Sequence, residues 1–252
     1  MKRALVTGAS SGIGLAMARG LAEAGYALTV VARSLDKLEE QIAAFAGDGH
    51  TALQADLATR EGIRLTARRV ADEKHDVLVN NAGSTVYGDA DEVPADEQLR
   101  LVTLNVEAVV ALSHAFLAGA RSGDALMNVA SVVGMTSLPG AAAYAGSKAF
   151  VIRFSESLWF EQRKRGVYVV ALCPGATATN FYIAAGSSSS SFPKFMVQTA
   201  EEVADEALRA LRGRRHSVII SGAKNRALMF ASRFASRKRI IESVGGFSPR
   251  KD

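Results

Sequence analysis

Thr7-Gly8-Ala9-Ser10-Ser11-Gly12-Ile13-Gly14 stands between a short apolar run at residues 4–7 and an apolar segment of helical period beginning at Gly12. The glycines permit a tight turn and close backbone approach to whatever the loop holds. The helix that follows offers unpaired N–H groups and the positive end of its dipole, a combination that suits a pyrophosphate. The spacing is Gly-x3-Gly-x-Gly and differs from the common Gly-x-Gly-x-x-Gly fingerprint. An ordinary strand-to-helix turn would also accept these residues. What favours a nucleotide is the position, on the first strand of a strand–helix–strand repeat.

Reading outward, strands are expected at residues 4–7, 27–32, 51–55, 77–79, 125–130, 167–172 and 218–220. Most are bare apolar runs without polar alternation, as in parallel strands covered on both faces. Helical periods fill residues 12–24, 35–46, 60–73, 97–120, 141–165 and 200–212, and Gly25 and Gly166 follow two of them as helix-ending residues. The fold class expected is α/β: a single Rossmann-like, doubly wound parallel sheet of about seven strands, with helices on both faces. Residues 1–222 would form the dinucleotide-binding and catalytic domain, and residues 223–252 a basic amphipathic extension of it.

Composition narrows the classes. The 252 residues are 48% hydrophobic, and 22 Gly against 5 Pro excludes collagen-like and proline-rich chains. Cys173 is the only cysteine and the four histidines are scattered, so no disulfide and no metal are expected. A lone cysteine fits a reducing compartment, and cytoplasm is the expected location. The most apolar stretch, residues 106–120, contains Glu107 and His114 and is too short to span a bilayer. Residues 208–252 hold twelve Lys/Arg and two Asp/Glu, whereas residues 1–207 hold eighteen and twenty-three. The basic excess therefore belongs to the C-terminal segment, which argues against a nucleic-acid-binding face spread over the domain.

The chain resembles the short-chain dehydrogenase/reductase superfamily, in its TGxxxGxG branch. Besides Thr7–Gly14, the resemblance rests on Asn80-Asn81-Ala82-Gly83, Asn105, Ser131, Tyr144-x3-Lys148 and Pro174-Gly175-Ala176-Thr177-Ala178-Thr179, in that order. It implies that Gly8, Ser10, Ser11, Gly12, Ile13 and Gly14 hold a dinucleotide, with Asn81, Ala82 and Gly83 under the adenosine ribose. Asp56 and Leu57 would meet the adenine, unless Asp56 merely caps the helix that follows. Pro174 and Gly175 would turn the chain over the nicotinamide, with Thr177 at the carboxamide and Thr179 near the pyrophosphate. After the second strand the chain reads Ala32-Arg33-Ser34, with no acid until Asp36. Arg33 and Ser34 suit a 2′-phosphate, so NADP(H) is expected over NAD(H), although Arg33 would also serve as a plain surface residue.

Tyr144 and Lys148 are four apart, on one face of a helix. A lysine cation one turn from a phenol stabilises the phenolate and brings its titration toward neutrality. The resemblance makes Tyr144 the proton donor and acceptor in carbonyl–alcohol interconversion, and gives Lys148 a second role at the nicotinamide ribose. Ser131, at the carboxyl edge of the sheet, would hold the substrate oxygen. Asn105, a poor helix former inside a helical stretch, would anchor a proton-relaying water or else be a mere helix irregularity. The alternative to an enzyme is a non-catalytic NADP(H)-binding sensor.

Substrate contacts are expected from Ser131, Tyr144, Met135, Phe181 and Tyr182, with the serine run 187–191 in a lid; these residues suggest an apolar small molecule. A homodimer or homotetramer is expected. The last helical stretch, residues 223–244, carries Ala227, Phe230, Phe234, Ile241 and Val244 as one apolar stripe amid Lys224, Arg226, Arg233, Arg237, Lys238 and Arg239. Such a stripe would pack on the body or on a second subunit, or lie peripherally on an anionic membrane.

Overall fold

A computed structural model describes residues 1–179 and 197–245. Seven strands form one all-parallel sheet: β1 (Lys2–Thr7), β2 (Tyr26–Ala32), β3 (Thr51–Gln54), β4 (Val77–Asn80), β5 (Ala125–Val129), β6 (Tyr168–Cys173) and β7 (Val218–Ile220). Their order is β3-β2-β1-β4-β5-β6-β7. The chain therefore reverses direction across the sheet between β1 and β4, and a crevice opens at the carboxyl ends of those two strands.

Strand residues alternate between two cores. Ala4, Val6, Met127 and Val170 meet one face, where α1 (Gly12–Glu23) contributes Met17 and Leu21 and α2 (Leu35–Ala43) contributes Leu38. Leu5, Leu78, Leu126 and Val169 meet the other, with Ile63 and Val70 of α3 (Arg60–Asp72). Because both faces are covered, polar alternation along the strands would bury unpaired polar groups, which is why the runs are uniformly apolar.

The expected helix 97–120 is a longer, composite element: α4 (Ala95–Val102), a π turn at Thr103–Glu107 and α5 (Ala108–Gly119). By length and apolar content alone this 25-residue run would suffice to cross a membrane, although residues 106–120 by themselves are too short. In the fold it packs against α3 and buries Leu112 and Phe116 on the sheet. Next comes α6 (Ala142–Gln162), which ends in a 3-10 turn and a left-handed Gly166 at φ 69°. It is followed by α7 (Ala200–Gly213), which a Thr199/Glu202 capping box opens and which packs on α1.

The C-terminal stretch departs from expectation. It is two helices, α8 (Ala223–Ser232) and α9 (Arg237–Gly245), rather than one. Ser236 starts the second, accepting from Arg239 N at 3.4 Å through its hydroxyl and from Ile240 N at 3.1 Å through its carbonyl. The apolar stripe is correspondingly split: Phe230 and Phe234, 61% and 80% exposed, do not pack on the body, whereas Val244 is partly buried over the cavity described below.

Candidate active site

The loop after β1 takes its shape from backbone conformation. Gly8 and Gly12 lie at φ 66° and 57°, in the left-handed region where a side chain is strained. Gly14 lets α1 press against the Asn81 amide and the Gly8 carbonyl, where a Cβ would collide. The loop is locked to the one after β4. Buried Thr7 accepts from the N–H groups of Asn81 and Ala82 through Oγ1, each at 3.0 Å, and Asn81 Nδ2 donates to the Thr7 carbonyl at 2.9 Å. The sequence reading missed this role of Thr7, whose only local signal is a hydroxyl ending an apolar strand. Thr7→Val keeps the shape and strands two N–H groups, so it is expected to cost about 2–3 kcal/mol. A lower urea midpoint at unchanged slope would show it.

Tyr144 and Lys148 lie one turn apart on α6, both buried, with Lys148 Nζ 5.9 Å from the phenol ring centroid. Nζ donates to the Val129 carbonyl at 2.9 Å, and among the described residues no carboxylate is paired with it. Burial lowers its pKa to about 8, against a smaller opposing influence from Cys173. Cys173 itself is fully buried and its thiol is pushed up to about 12, so it behaves as a small hydrophobe.

Ser131 follows β5 and opens a 3-10 turn, Val132–Met135. Its hydroxyl accepts from Val133 N at 3.2 Å and lies 3.5 Å from the Pro174 carbonyl. Asn105 sits in the π turn, fully buried. Its Oδ1 accepts from Ser84 N at 3.1 Å, and its Nδ2 donates to the Ser84 carbonyl and to Ser147 Oγ, each at 3.0 Å. The side chain thus clamps the β4 loop to α6. A Cβ on Gly83 would lie 3.2 Å from Asn105 Oδ1 and 3.3 Å from Lys148 Nζ, so the missing side chain leaves these two polar atoms facing one small gap.

All these elements border one cavity of about 1190 Å³. Its walls include Gly8, Ser10, Ser11, Gly12 and Ile13 from the first loop, and Asn81, Ala82 and Gly83 from the fourth. Ser131, Tyr144 and Lys148 stand beyond them, with Pro174, Gly175, Thr177 and Thr179 opposite. Gly14 and Asn105 support the walls from behind. Met135 is 36% exposed and does not line the cavity; Val132, Val133, Thr136 and Leu138 do. Phe181, Tyr182 and the serine run 187–191 lie outside the described residues.

At the β2 end, Arg33 and Ser34 line the cavity together with Lys37, one turn along α2, which the sequence reading did not single out although its spacing from Arg33 was visible. Neither cation forms an ion pair among the described residues. Asp56 and Leu57 line the same end. The Asp56 carboxylate accepts from Ala58 N at 3.0 Å and pairs with Arg100 at 2.5 Å, so it organises the turn into α3 while facing the cavity. The far end is roofed by α8 and α9 through Leu228, Met229, Ile240 and Val244, with Arg239 the one charged side chain there among the described residues. Asn225 of α8 packs against Gly175, and Gly245 of α9 against Pro139, which ties the roof to the segments after β6 and before α6.

A glycine-shaped loop at a topological switch point and a Ser, Tyr and Lys group on the facing wall together suit a dinucleotide beside a reacting carbonyl. The family model for short chain dehydrogenases matches residues 2–188. The chain belongs to the short-chain dehydrogenase family. It is an oxidoreductase. Among curated proteins, 3-oxoacyl-[acyl-carrier-protein] reductase FabG of Haemophilus influenzae is 34% identical over 183 residues, covering 71% of this chain and 75% of that protein. Among solved structures, a short-chain dehydrogenase from Sphingobium yanoikuyae in complex with NADPH has 32% identity and a TM-score of 0.80, covering 92% and 94% of the two chains. The bulky-bulky ketone specific alcohol dehydrogenase from Comamonas testosteroni has 29% identity and a TM-score of 0.76, covering 92% of each.

Proposed function

We propose that this short-chain dehydrogenase interconverts the carbonyl and alcohol forms of an apolar small molecule with NADP(H), Tyr144 moving the proton. The observation that carries the reading is the shared cavity: Ser131, Tyr144 and buried Lys148 line the same space as the glycine loop. The cradle fits the cofactor on its own geometry, since left-handed Gly8 and Gly12 leave the backbone bare and Gly12 has room only because it lacks a Cβ beside Thr179. Gly8, Ser10, Ser11, Gly12 and Ile13 would hold the pyrophosphate; Arg33, Ser34 and Lys37 the 2′-phosphate; and Asp56, Leu57, Asn81, Ala82 and Gly83 the adenosine. Thr177, Thr179, Pro174, Gly175 and Lys148 would hold the nicotinamide half. Bound there, NADP(H) supplies or accepts a hydride.

The chain's own residues handle the oxygen and the proton. Ser131 Oγ and the Tyr144 hydroxyl hold the substrate oxygen, and Tyr144 gives up its proton to that oxygen in reduction. The Lys148 cation stabilises the phenolate left behind. Asn105 acts as a positioning residue, because its amide ties the Ser84 backbone after β4 to Ser147, the residue before the lysine on α6. A cofactor sensor without turnover would need no phenol above a buried lysine, and nothing in the site favours one. Val133, Leu138, Leu228, Met229, Ile240 and Val244 make the substrate end apolar, which supports a ketone or secondary alcohol with a hydrocarbon body.

Incubating the protein with NADPH and a panel of apolar ketones, and following cofactor absorbance, tests the reading; absence of turnover across the panel would sink it. Cofactor choice has its own test. The two cations at the β2 end, unpaired among the described residues, predict tighter NADPH than NADH binding, by roughly tenfold or more, from one charge-assisted pair of contacts. Arg33→Asp is expected to shrink or reverse that ratio in a fluorescence titration, and equal affinities in the wild type would refute the assignment. The residues 223–245 roof this same cavity, so we treat them as part of one catalytic domain in a cytoplasmic enzyme. Leu99, Phe150 and Phe160, exposed on α4 and α6, support a homodimer or homotetramer.

A further inference from the structure

The C-terminal helix pair has two faces, and only the inner one is accounted for by the cavity. Met229, Ser232, Ile240 and Val244 point inward and are partly buried. Phe230 and Phe234 point outward at the break between α8 and α9, 61% and 80% exposed, with their rings edge to face at 5.4 Å. Leu228, 48% exposed, stands on the rim between the two faces. Cations surround the pair: Arg233 and Arg237 are exposed and form no ion pair among the described residues, and Lys238 has a loose exposed partner in Glu242, at 3.8 Å. Water-exposed phenylalanines cost free energy, and among the described residues nothing covers these two.

We propose that this face docks on an anionic lipid surface, with the two phenylalanines entering the headgroup layer and the arginines around them meeting lipid phosphates. Three observations select that occupant. Aromatic tips inside a cationic collar are the composition of an interfacial helix rather than of a solvated one. A second copy of this chain fits poorly, because a twofold contact through the face would set one basic helix pair against another. And the helices that carry the phenylalanines outside roof the cavity inside, so docking brings the apolar Leu228 rim to the bilayer. The last point rests on the reading of the cavity as the site for an apolar carbonyl or alcohol; such a molecule partitions into lipid and would reach the cavity from there.

The test is co-sedimentation of the full chain with phosphatidylcholine vesicles, with and without phosphatidylglycerol. Binding is expected only to the anionic vesicles, and it should fall by about fivefold or more when salt is raised from 0.05 to 0.5 M. Phe230→Ser/Phe234→Ser should lower it by a similar factor at fixed low salt, which simple charge attraction would not predict. Phe160→Ser, which removes an equally exposed phenylalanine from α6, should leave it unchanged, and far-UV circular dichroism verifies that each variant is folded. No binding to anionic vesicles, or equal binding by the double variant, overturns the proposal. Retention on an acidic polypeptide resin without vesicle binding would reassign the face to an acidic protein. A smaller mass by light scattering in the double variant, again without vesicle binding, would reassign it to a second copy. Ketone turnover in vesicle-free buffer is read separately, so the docking can fail while the oxidoreductase reading stands.

Discussion

Tyr144→Phe is expected to lower turnover about a thousandfold, within the range that loss of a positioned proton donor costs. The substitution removes one oxygen from a buried ring and leaves the ring in place beside Val133, Leu138 and Leu101, so the fold has no reason to change. NADPH binding should survive, because the glycine loop, Arg33 and Lys148 are untouched. The decisive measurement is kcat on an identified ketone together with a cofactor titration of the same preparation. Turnover near the wild-type value would remove Tyr144 from the mechanism, and loss of cofactor binding would mean that its role is structural.

Lys148→Met should abolish turnover and yet make the cofactor-free protein more stable at pH 7. Its folded pKa, lowered to about 8 from 10.5 by burial, means that below pH 8 the fold carries a buried charge it would rather release. A shift of that size corresponds to an upper bound of roughly 3 kcal/mol, reduced by the lost hydrogen bond to the Val129 carbonyl. The sign follows from proton binding: between about pH 8 and 10.5 the unfolded chain holds the proton more tightly than the folded one, so wild-type stability rises with pH across that window. The advantage of Met is therefore full below pH 8 and fades toward pH 10.5. Urea unfolding at pH 7 and pH 10.5 checks it, and a variant less stable than wild type at pH 7 would contradict the account. The proposed role at the phenolate accounts for a residue here that stability alone would reject.

What was legible in the sequence was whatever local chemistry dictates. The glycines of residues 8–14, the bare apolar strands and the Tyr144/Lys148 spacing each need only a few neighbouring residues to be understood, and each stands where expected. The lock between Thr7 and Asn81 was not legible, because it joins residues 74 positions apart and leaves no mark on either stretch. The π turn escaped for another reason: its residues suit an α-helix equally well, and only the packing of Asn105 against Ser84 and Ser147 distinguishes the two. In the C-terminal segment the helical period of residues 223–244 hid a break that neither proline nor glycine marks. The available signal was Ser236, a capping residue in the middle of an apparently continuous run. Met135 illustrates a third limit: a residue can stand in the turn that Ser131 opens and still be partly exposed to solvent.

The π turn at Thr103–Glu107 has a consequence for how this chain tolerates change. A π turn amounts to one surplus residue threaded into an α-helix, and each helical residue rotates its successors by about 100°. Deleting any one of the four residues that accompany Asn105 in it would cure the helix locally and tidy its hydrogen bonds. It would also swing either Asn105 out of the core or Leu112 and Phe116 off the sheet, since α4 and α5 are held in phases that a regular helix cannot satisfy together. The site is thus fastened to an irregularity, and lengthening or shortening this helix by a single codon is a far graver event than most substitutions along it.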